Sequence, residues 1–201
     1  MNPLAEEMQK KFGIPYYSLH DIYAVEEIDL LFEHLANTLS IRFEESFCAA
    51  REEAKQWEDK AKSVLGGISY ISTPQNILQP LPLTSYLLQF KMIPLLLHIE
   101  EFYPQDRKWT CLIREKGANP FLCHMVNNKA DALILDQLAP NFSLGEVRES
   151  KSQIPTLTHI FQLYGQIGYE RTSLLLKRMI QTYEHCKIKQ GKEINNGKIS
   201  I

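Results

Sequence analysis

The run IPLLLHIEE (93–101) ends in His98, Glu100 and Glu101, an imidazole and two carboxylates at the mouth of an apolar segment. Such groups can trade protons or hold a polar ligand, so His98 and Glu100 are candidate contacts for a bound molecule; a histidine that closes the strand beside two solvated glutamates is the competing reading. Gly165-Gln166-Ile167-Gly168 stands before the last helical pattern. Unpaired backbone N–H groups at a helix start attract anions, which makes Gln166, Ile167 and Gly168 candidate cofactor contacts. The segment is not a GxGxxG and no Walker lysine follows, while Glu170 already offsets the helix dipole, so a tight packing turn competes with it. Gly145, at the end of PNFSLG, completes the candidate set. Cys123 and His124 are adjacent metal-ligand types, but neighbours on a strand point to opposite faces and only one can reach a shared site. A buried thiol beside an ordinary histidine is the better reading, and no metal site is assigned. Cys48 beside Phe47, Ala49 and Ala50 reads as packing, and Cys111 beside Lys108 and Glu115 as exposed. With no GxSxG elbow, Ser-His-Asp catalysis has no support.

The elements that must position these groups begin with three Ile-Pro pairs, Ile14-Pro15, Ile93-Pro94 and Ile154-Pro155. Proline lacks a ladder donor and suits the first residue of a strand, so each pair predicts a strand entrance. Strands are predicted in GIPYYSL, ISYIS (68–72), IPLLLHI (93–99), NPFLCHMV (119–126), PNFSLG (140–145) and IPTLTHI (154–160). Helices are predicted over 4–12, 25–39, 42–64, the later part of 77–91 after Pro80 and Pro82, 103–117, 128–138 and 169–186. Val25, Ile28, Leu31, Phe32, Leu35 and Leu39 form an apolar stripe that has no local partner and needs cover. From residue 67 onward, strand and helix alternate, which predicts an α/β fold: a Rossmann-like, doubly wound parallel sheet of about five strands with helices on both faces, preceded by a helical N-terminal appendage. The expected organisation is a remnant of a preceding domain over 1–40, a long crossover helix over 41–66, the α/β domain over 67–186 and a flexible basic tail over 187–201. Ligands in such sheets sit beyond the carboxyl ends of the strands, which here present Ser72, Thr73, His98, Glu100, Glu101, Asn127, Asn128, Gly145, Glu146, His159 and Gln162.

The chain has 201 residues and 44% hydrophobic content, enough for a substantial core. Twenty-two basic and 24 acidic residues leave a formal charge of −2, so nucleic acid is excluded as principal partner. No apolar stretch reaches the roughly 20 residues needed to span a bilayer, and the polar start MNPLAEEMQKK is unlike a signal peptide, so a cytoplasmic location without membrane partners is expected. The four cysteines lack C-x-x-C spacing and read as separate thiols.

The order GIPYYSL, acidic helix, long charged helix, Gly-Gly strand, MIPLLLHIEEFYPQDRK, LAPNFSLGE and QIGYERTSLLLKRMI resembles the C-terminal half of the nitrogenase component 1 family, over roughly residues 5–185. That family includes nitrogenase molybdenum-iron protein subunits, cofactor-assembly scaffolds and reductases of tetrapyrrole synthesis. The resemblance implies an oxidoreductase subunit that walls part of a metallocluster or tetrapyrrole cavity and is inactive alone. It further implies an iron-sulfur or other metallocluster in full-length relatives, an ATP-dependent iron-sulfur reductase as their partner, and homo-oligomerisation or docking to an N-terminal half or partner subunit. In the catalytic molybdenum-iron subunit a histidine precedes the glycine of the last-helix turn and ligates the cofactor; here that position is Ile167, which cannot ligate. Asn141 stands where the family pattern has aspartate, and the family's cluster cysteines belong to the half that does not match, so no cofactor is expected in the isolated chain. The alternative is a non-enzymatic module that binds a small molecule or metallocofactor, or another protein.

Overall fold

The computed structural model describes residues 3–42, 45–76, 78–124, 137–147, 154–158, 160–163 and 165–196. Among the described residues six α-helices, α1 (Pro3–Phe12), α2 (Val25–Leu39), α3 (Glu45–Val64), α4 (Pro80–Leu87), α5 (Arg107–Glu115) and α6 (Gly168–Asn196), accompany five strands: β1 (Ser69–Ser72), β2 (Ile93–His98), β3 (Phe121–Cys123), β4 (Phe142–Leu144) and β5 (Thr156–Leu157). The strands form one all-parallel sheet in the order β3-β2-β1-β4-β5, as the alternating pattern predicts. Leu96 and Leu97 of β2 are adjacent and both fully buried, so each face of this strand meets protein. The β1–β2 register shifts by one residue where Tyr70 opposes Pro94 and Ile71 opposes Leu96, at the proline that cannot donate to the ladder.

On one face Tyr70, Leu97, Phe142 and Leu144 join Ala61 and Leu65 from the region of α3, Leu81 and Tyr86 of α4, Ile113 of α5 and Leu175, Leu176, Met179 and Ile180 of α6. Ile71 and Leu96 occupy the other face with Cys123, Leu138 and Val147 against them. Alanines 54 and 61 have no exposed surface, and these small side chains let α3 lie close along α6. Glu58 of α3 joins three helices: its Oε1 accepts from the Val25 amide at 3.1 Å and from the Tyr86 hydroxyl at 3.0 Å. It caps α2 from outside, since Ala24 at the N-cap offers no side-chain hydrogen bond. Burial raises the Glu58 carboxyl above its ordinary value, and these two donors pull against that rise.

Several expectations change on contact with the fold. GIPYYSL is irregular and joins no sheet; its first Ile-Pro pair opens no strand because no neighbouring strand offers a ladder. Helix α4 starts at Pro80 and includes Pro82, because first-turn residues have no intrahelical acceptor for an N–H and lose nothing by lacking one. The first part of the stripe on α2 finds cover within the chain, where Val25 and Ile28 pack with Ala54 and Tyr169, flanked by Phe32 and Phe47, while Leu39 at its far end stays exposed. Cys48 faces solvent, since Phe47 and Ala50 carry the packing face of α3. Helix α6 continues past Cys186 to Asn196. The helix expected over 128–138 and the residues Asn127, Asn128 and His159 lie wholly or mostly outside the described residues. Among those described, no helix is long and apolar enough to cross a membrane.

Candidate functional site

The strand order reverses between β1 and β4, and connections leaving two such neighbours in opposite directions open a crevice at their carboxyl ends. Ser72, Thr73, Asn76, Ser143 and His98 line this edge and are all buried. Their types are hydroxyl, amide and imidazole, with no carboxylate among them. The Thr73 amide donates to the Leu144 carbonyl at 2.9 Å, so the β1 loop continues the β4 ladder for one residue. Asn76 folds the loop back: its Nδ2 donates to Ser72 Oγ at 2.8 Å, its Oδ1 accepts from the Leu78 amide at 3.2 Å, and its own amide donates to the Thr73 carbonyl at 2.9 Å.

Gly145 closes the crevice from the β4 side. It sits at φ +90°, and a Cβ there would fall 2.2 Å from Thr73 Oγ1 and 2.9 Å from the Asn76 amide nitrogen, so backbone conformation and space both require glycine. Its amide donates to the Leu157 carbonyl at 3.0 Å and its carbonyl accepts from Ser143 Oγ at 2.8 Å. Thr73 Oγ1, by contrast, is buried in a residue 5% exposed and has no hydrogen-bond partner among the described residues. Such an orphan costs about 1–3 kcal/mol unless something accepts or donates to it.

His98 approaches from β2. Its Nδ1 lies 3.1 Å from the Ser72 carbonyl. A carbonyl only accepts, so Nδ1 carries the hydrogen. Cys123 is the register neighbour of His98 on β3 and is half-buried, whereas His124 is exposed. Glu100 lies beyond β2, exposed to solvent. Among the described residues no group of three or more His, Cys, Asp or Glu side chains could hold a metal ion.

The predicted set therefore divides. His98 and Gly145 stand on either side of the end of β1, while Gln166, Ile167 and Gly168 belong to the start of α6. There Gly168, at φ +66°, approaches α2 so closely that a Cβ would meet the Phe32 ring at 3.3 Å, which identifies a packing turn. Ile167 is exposed, and Gln166 Oε1 is buried without a partner among the described residues. The first turn of α6 then carries polar anchors, Tyr169 and Arg171, that the sequence alone did not single out. The Tyr169 hydroxyl donates to Asp29 Oδ1 at 2.6 Å, and Arg51 grips the same carboxylate through Nε at 2.9 Å and Nη2 at 2.6 Å. Arg51 holds the Asp29 carboxyl below its usual range, and Tyr169 adds to that, while partial burial opposes it. Arg171 is 2% exposed, donates to the carbonyls of His20 at 3.1 Å, Leu19 at 3.0 Å and Ile22, and stacks 4.3 Å from the Tyr23 ring centroid. Burial pushes the Tyr23 phenol up to about 12, against the pull of the Arg171 cation. The legible signal was periodicity: Arg171 shares the i, i+4 face of Leu175 and Met179, where a cation must find buried acceptors.

A phosphate has little to bind at the place where this topology commonly holds one. The β1–α4 loop contains no glycine, α4 opens with Pro80 and Pro82, and the Leu83 amide is already given to the Gln79 carbonyl at 3.2 Å.

The sequence model of the family described as nitrogenase component 1 type oxidoreductase matches residues 1–184. The solved structure "Nitrogenase Cp1 at pH 6.5" is similar in fold, with a TM-score of 0.72 at 15% identity over 92% of this chain and 43% of that one. This chain thus spans less than half the length of that nitrogenase chain. No curated protein matches the sequence.

Proposed function

Because the chain belongs to the nitrogenase component 1 type oxidoreductase family, we propose that it forms one wall of a metallocluster or tetrapyrrole cavity and does not catalyse alone. The observation that carries this reading is the β1–β4 crevice, where Gly145 admits no side chain and Thr73 Oγ1 is buried without a partner among the described residues. Ser72, Thr73, Asn76 and His98 supply neutral donors and acceptors, which suit the rim of a cofactor and not its metal atoms. Ile167 has no ligand atom at the position where the catalytic relatives carry histidine. Direct ligation therefore falls to a complementary half or partner subunit, and His98, Glu100, Gly145 and Gln166 are the proposed contacts on this side. In that assembly an ATP-dependent iron-sulfur reductase supplies the electrons, in the cytoplasm.

Anaerobic reconstitution with iron and sulfide, followed by iron analysis and visible absorption, tests the assignment. The wall role predicts no stoichiometric chromophore, and a cluster bound at one per chain overturns it. The orphaned Thr73 hydroxyl also favours a second reading, a module that binds a small molecule without catalysis. A thermal-shift panel of nucleotides, corrinoids and metal ions decides that point: nucleotides are expected to give no shift, since Pro80 and Pro82 remove their amide donors, and a response flat across the whole panel removes the module.

A further inference from the structure

Among the described residues Tyr23, Tyr70, Tyr86 and Tyr169 are buried, and they differ in where the hydroxyl proton can go. Tyr86, on α4 and 4% exposed, donates to Glu58 Oε1 of α3 at 3.0 Å. Tyr169 donates to Asp29 Oδ1 at 2.6 Å. Tyr70 donates to the Thr84 hydroxyl at 2.9 Å, and a hydroxyl is too weak a base to keep a proton. Tyr23 carries the Arg171 guanidinium 4.3 Å from its ring centroid, and a cation over the ring opposes loss of an electron.

We propose that Tyr86 and Glu58 form a proton-coupled redox site, which gives one electron to an oxidant of the class of oxygen-derived radicals and holds the resulting neutral tyrosyl radical away from solvent. The Tyr86 O–H bond breaks, its proton passes to Glu58 Oε1 along the existing hydrogen bond, and one electron leaves the ring for the oxidant, which is reduced by one electron. The pair loses its negative charge, and no cation is created in the core. Burial has already raised the Glu58 carboxyl above its ordinary range, so it favours the protonated product. At Asp29 the same transfer is opposed: Arg51 holds that carboxyl below its usual range and would be left facing a neutral acid. Tyr103 also donates to a carboxylate, that of Glu101, but both residues are exposed and a radical there meets solvent. Tyr23 stacks on Tyr86 with ring centroids 5.6 Å apart, and because Arg171 makes the Tyr23 ring harder to oxidise, the radical stays on Tyr86. The charged groups around the pair are Glu26 and Glu27 of α2 and Lys62 of α3, while Lys108 and Lys116 act on Glu27. Lys60 and Lys177 stand over Trp57 instead.

Flash-generated tris(bipyridine)ruthenium(III) serves as the one-electron oxidant in the test on the whole chain, read by tyrosyl absorption and electron paramagnetic resonance. The wild type is expected to give a tyrosyl signal that persists after surface radicals have decayed; Tyr86→Phe loses it and Tyr169→Phe keeps it. Glu58→Gln retains an oxygen for both donors and the circular dichroism of the wild type, yet its radical forms about a hundredfold more slowly, the low end of what a positioned proton acceptor contributes. In the wild type the rate falls as pH drops through the raised Glu58 value, and Glu58→Gln flattens that profile. Glu27→Gln removes the neighbouring titration and keeps the wild-type profile. A helix cap alone would move neither the rate nor its pH dependence. The absence of a persistent radical, a persistent signal that survives Tyr86→Phe, a Glu58→Gln rate equal to that of the wild type, or a profile flattened by Glu27→Gln overturns the proposal.

Discussion

At the start of α6, Tyr169 and Arg51 saturate the Asp29 carboxylate and Arg171 reaches three backbone carbonyls, whereas at the β1–β4 crevice Thr73 Oγ1 is buried with nothing to bond. Both regions are polar and both are withdrawn from water. One spends charge to fix how helices and the 19–22 segment meet, although Asp21 Oδ1, Gln166 Oε1, Arg171 Nε and Ser173 Oγ find no partner there among the described residues; the other uses neutral groups around the single orphan Thr73 Oγ1. Charge is thus placed where geometry must hold, and an unanswered polar atom occurs on both sides of the comparison.

The sharpest way to break this contrast is Arg171→Ala, which strands the carbonyls of Leu19, His20 and Ile22. A loss of about 3–5 kcal/mol in chemical denaturation is expected, and a loss under about 1 kcal/mol would show that the anchor is dispensable. Gly145→Ala comes next, at roughly 2–4 kcal/mol, because the new methyl meets Thr73 and the backbone is left-handed. Adding Thr73→Ala should return part of that loss, while the clash with the Asn76 amide keeps the rest. Tyr169→Phe removes one hydrogen bond to a carboxylate and should cost about 1.5–3 kcal/mol. The same carboxylate sets an acid limb. Its pKa is lowered in the folded state, so its stabilisation is present above the ordinary aspartate value of about 4 and is lost as pH falls through the lower, folded value. Asp29→Asn should therefore flatten the stability profile below about pH 4. The smallest effect is of opposite sign: Thr73→Val removes an orphaned hydroxyl and should leave stability unchanged or raise it by about 1 kcal/mol, and a clear loss would mean that the hydroxyl already has a partner.

The sheet was legible because Ile-Pro entrances and apolar runs mark strands, and all five strands fall inside the predicted segments. GIPYYSL carries the same local signal without a ladder beside it, so local pattern alone misassigns it. His98 and Gly145 were accessible because strand ends are where this topology puts ligands. Asn76 and Arg171 were not singled out. Asn76 works through three short-range bonds in a loop whose path no periodicity reports. Arg171 finds its acceptors in the 19–22 segment, more than a hundred residues away in sequence, and a single chain gives no hint of that pairing.

Glu58, which seals the first turn of α2 from a different helix, has a consequence for the order of assembly. A peptide of residues 25–39 lacks that acceptor and should be mostly coil in isolation, because nucleating a short helix is unfavourable without tertiary support. Helix α2 is then a late arrival, gaining its hydrogen-bonded start only once α3 has docked, and native-state hydrogen exchange should find its first amides opening before those of the central strands.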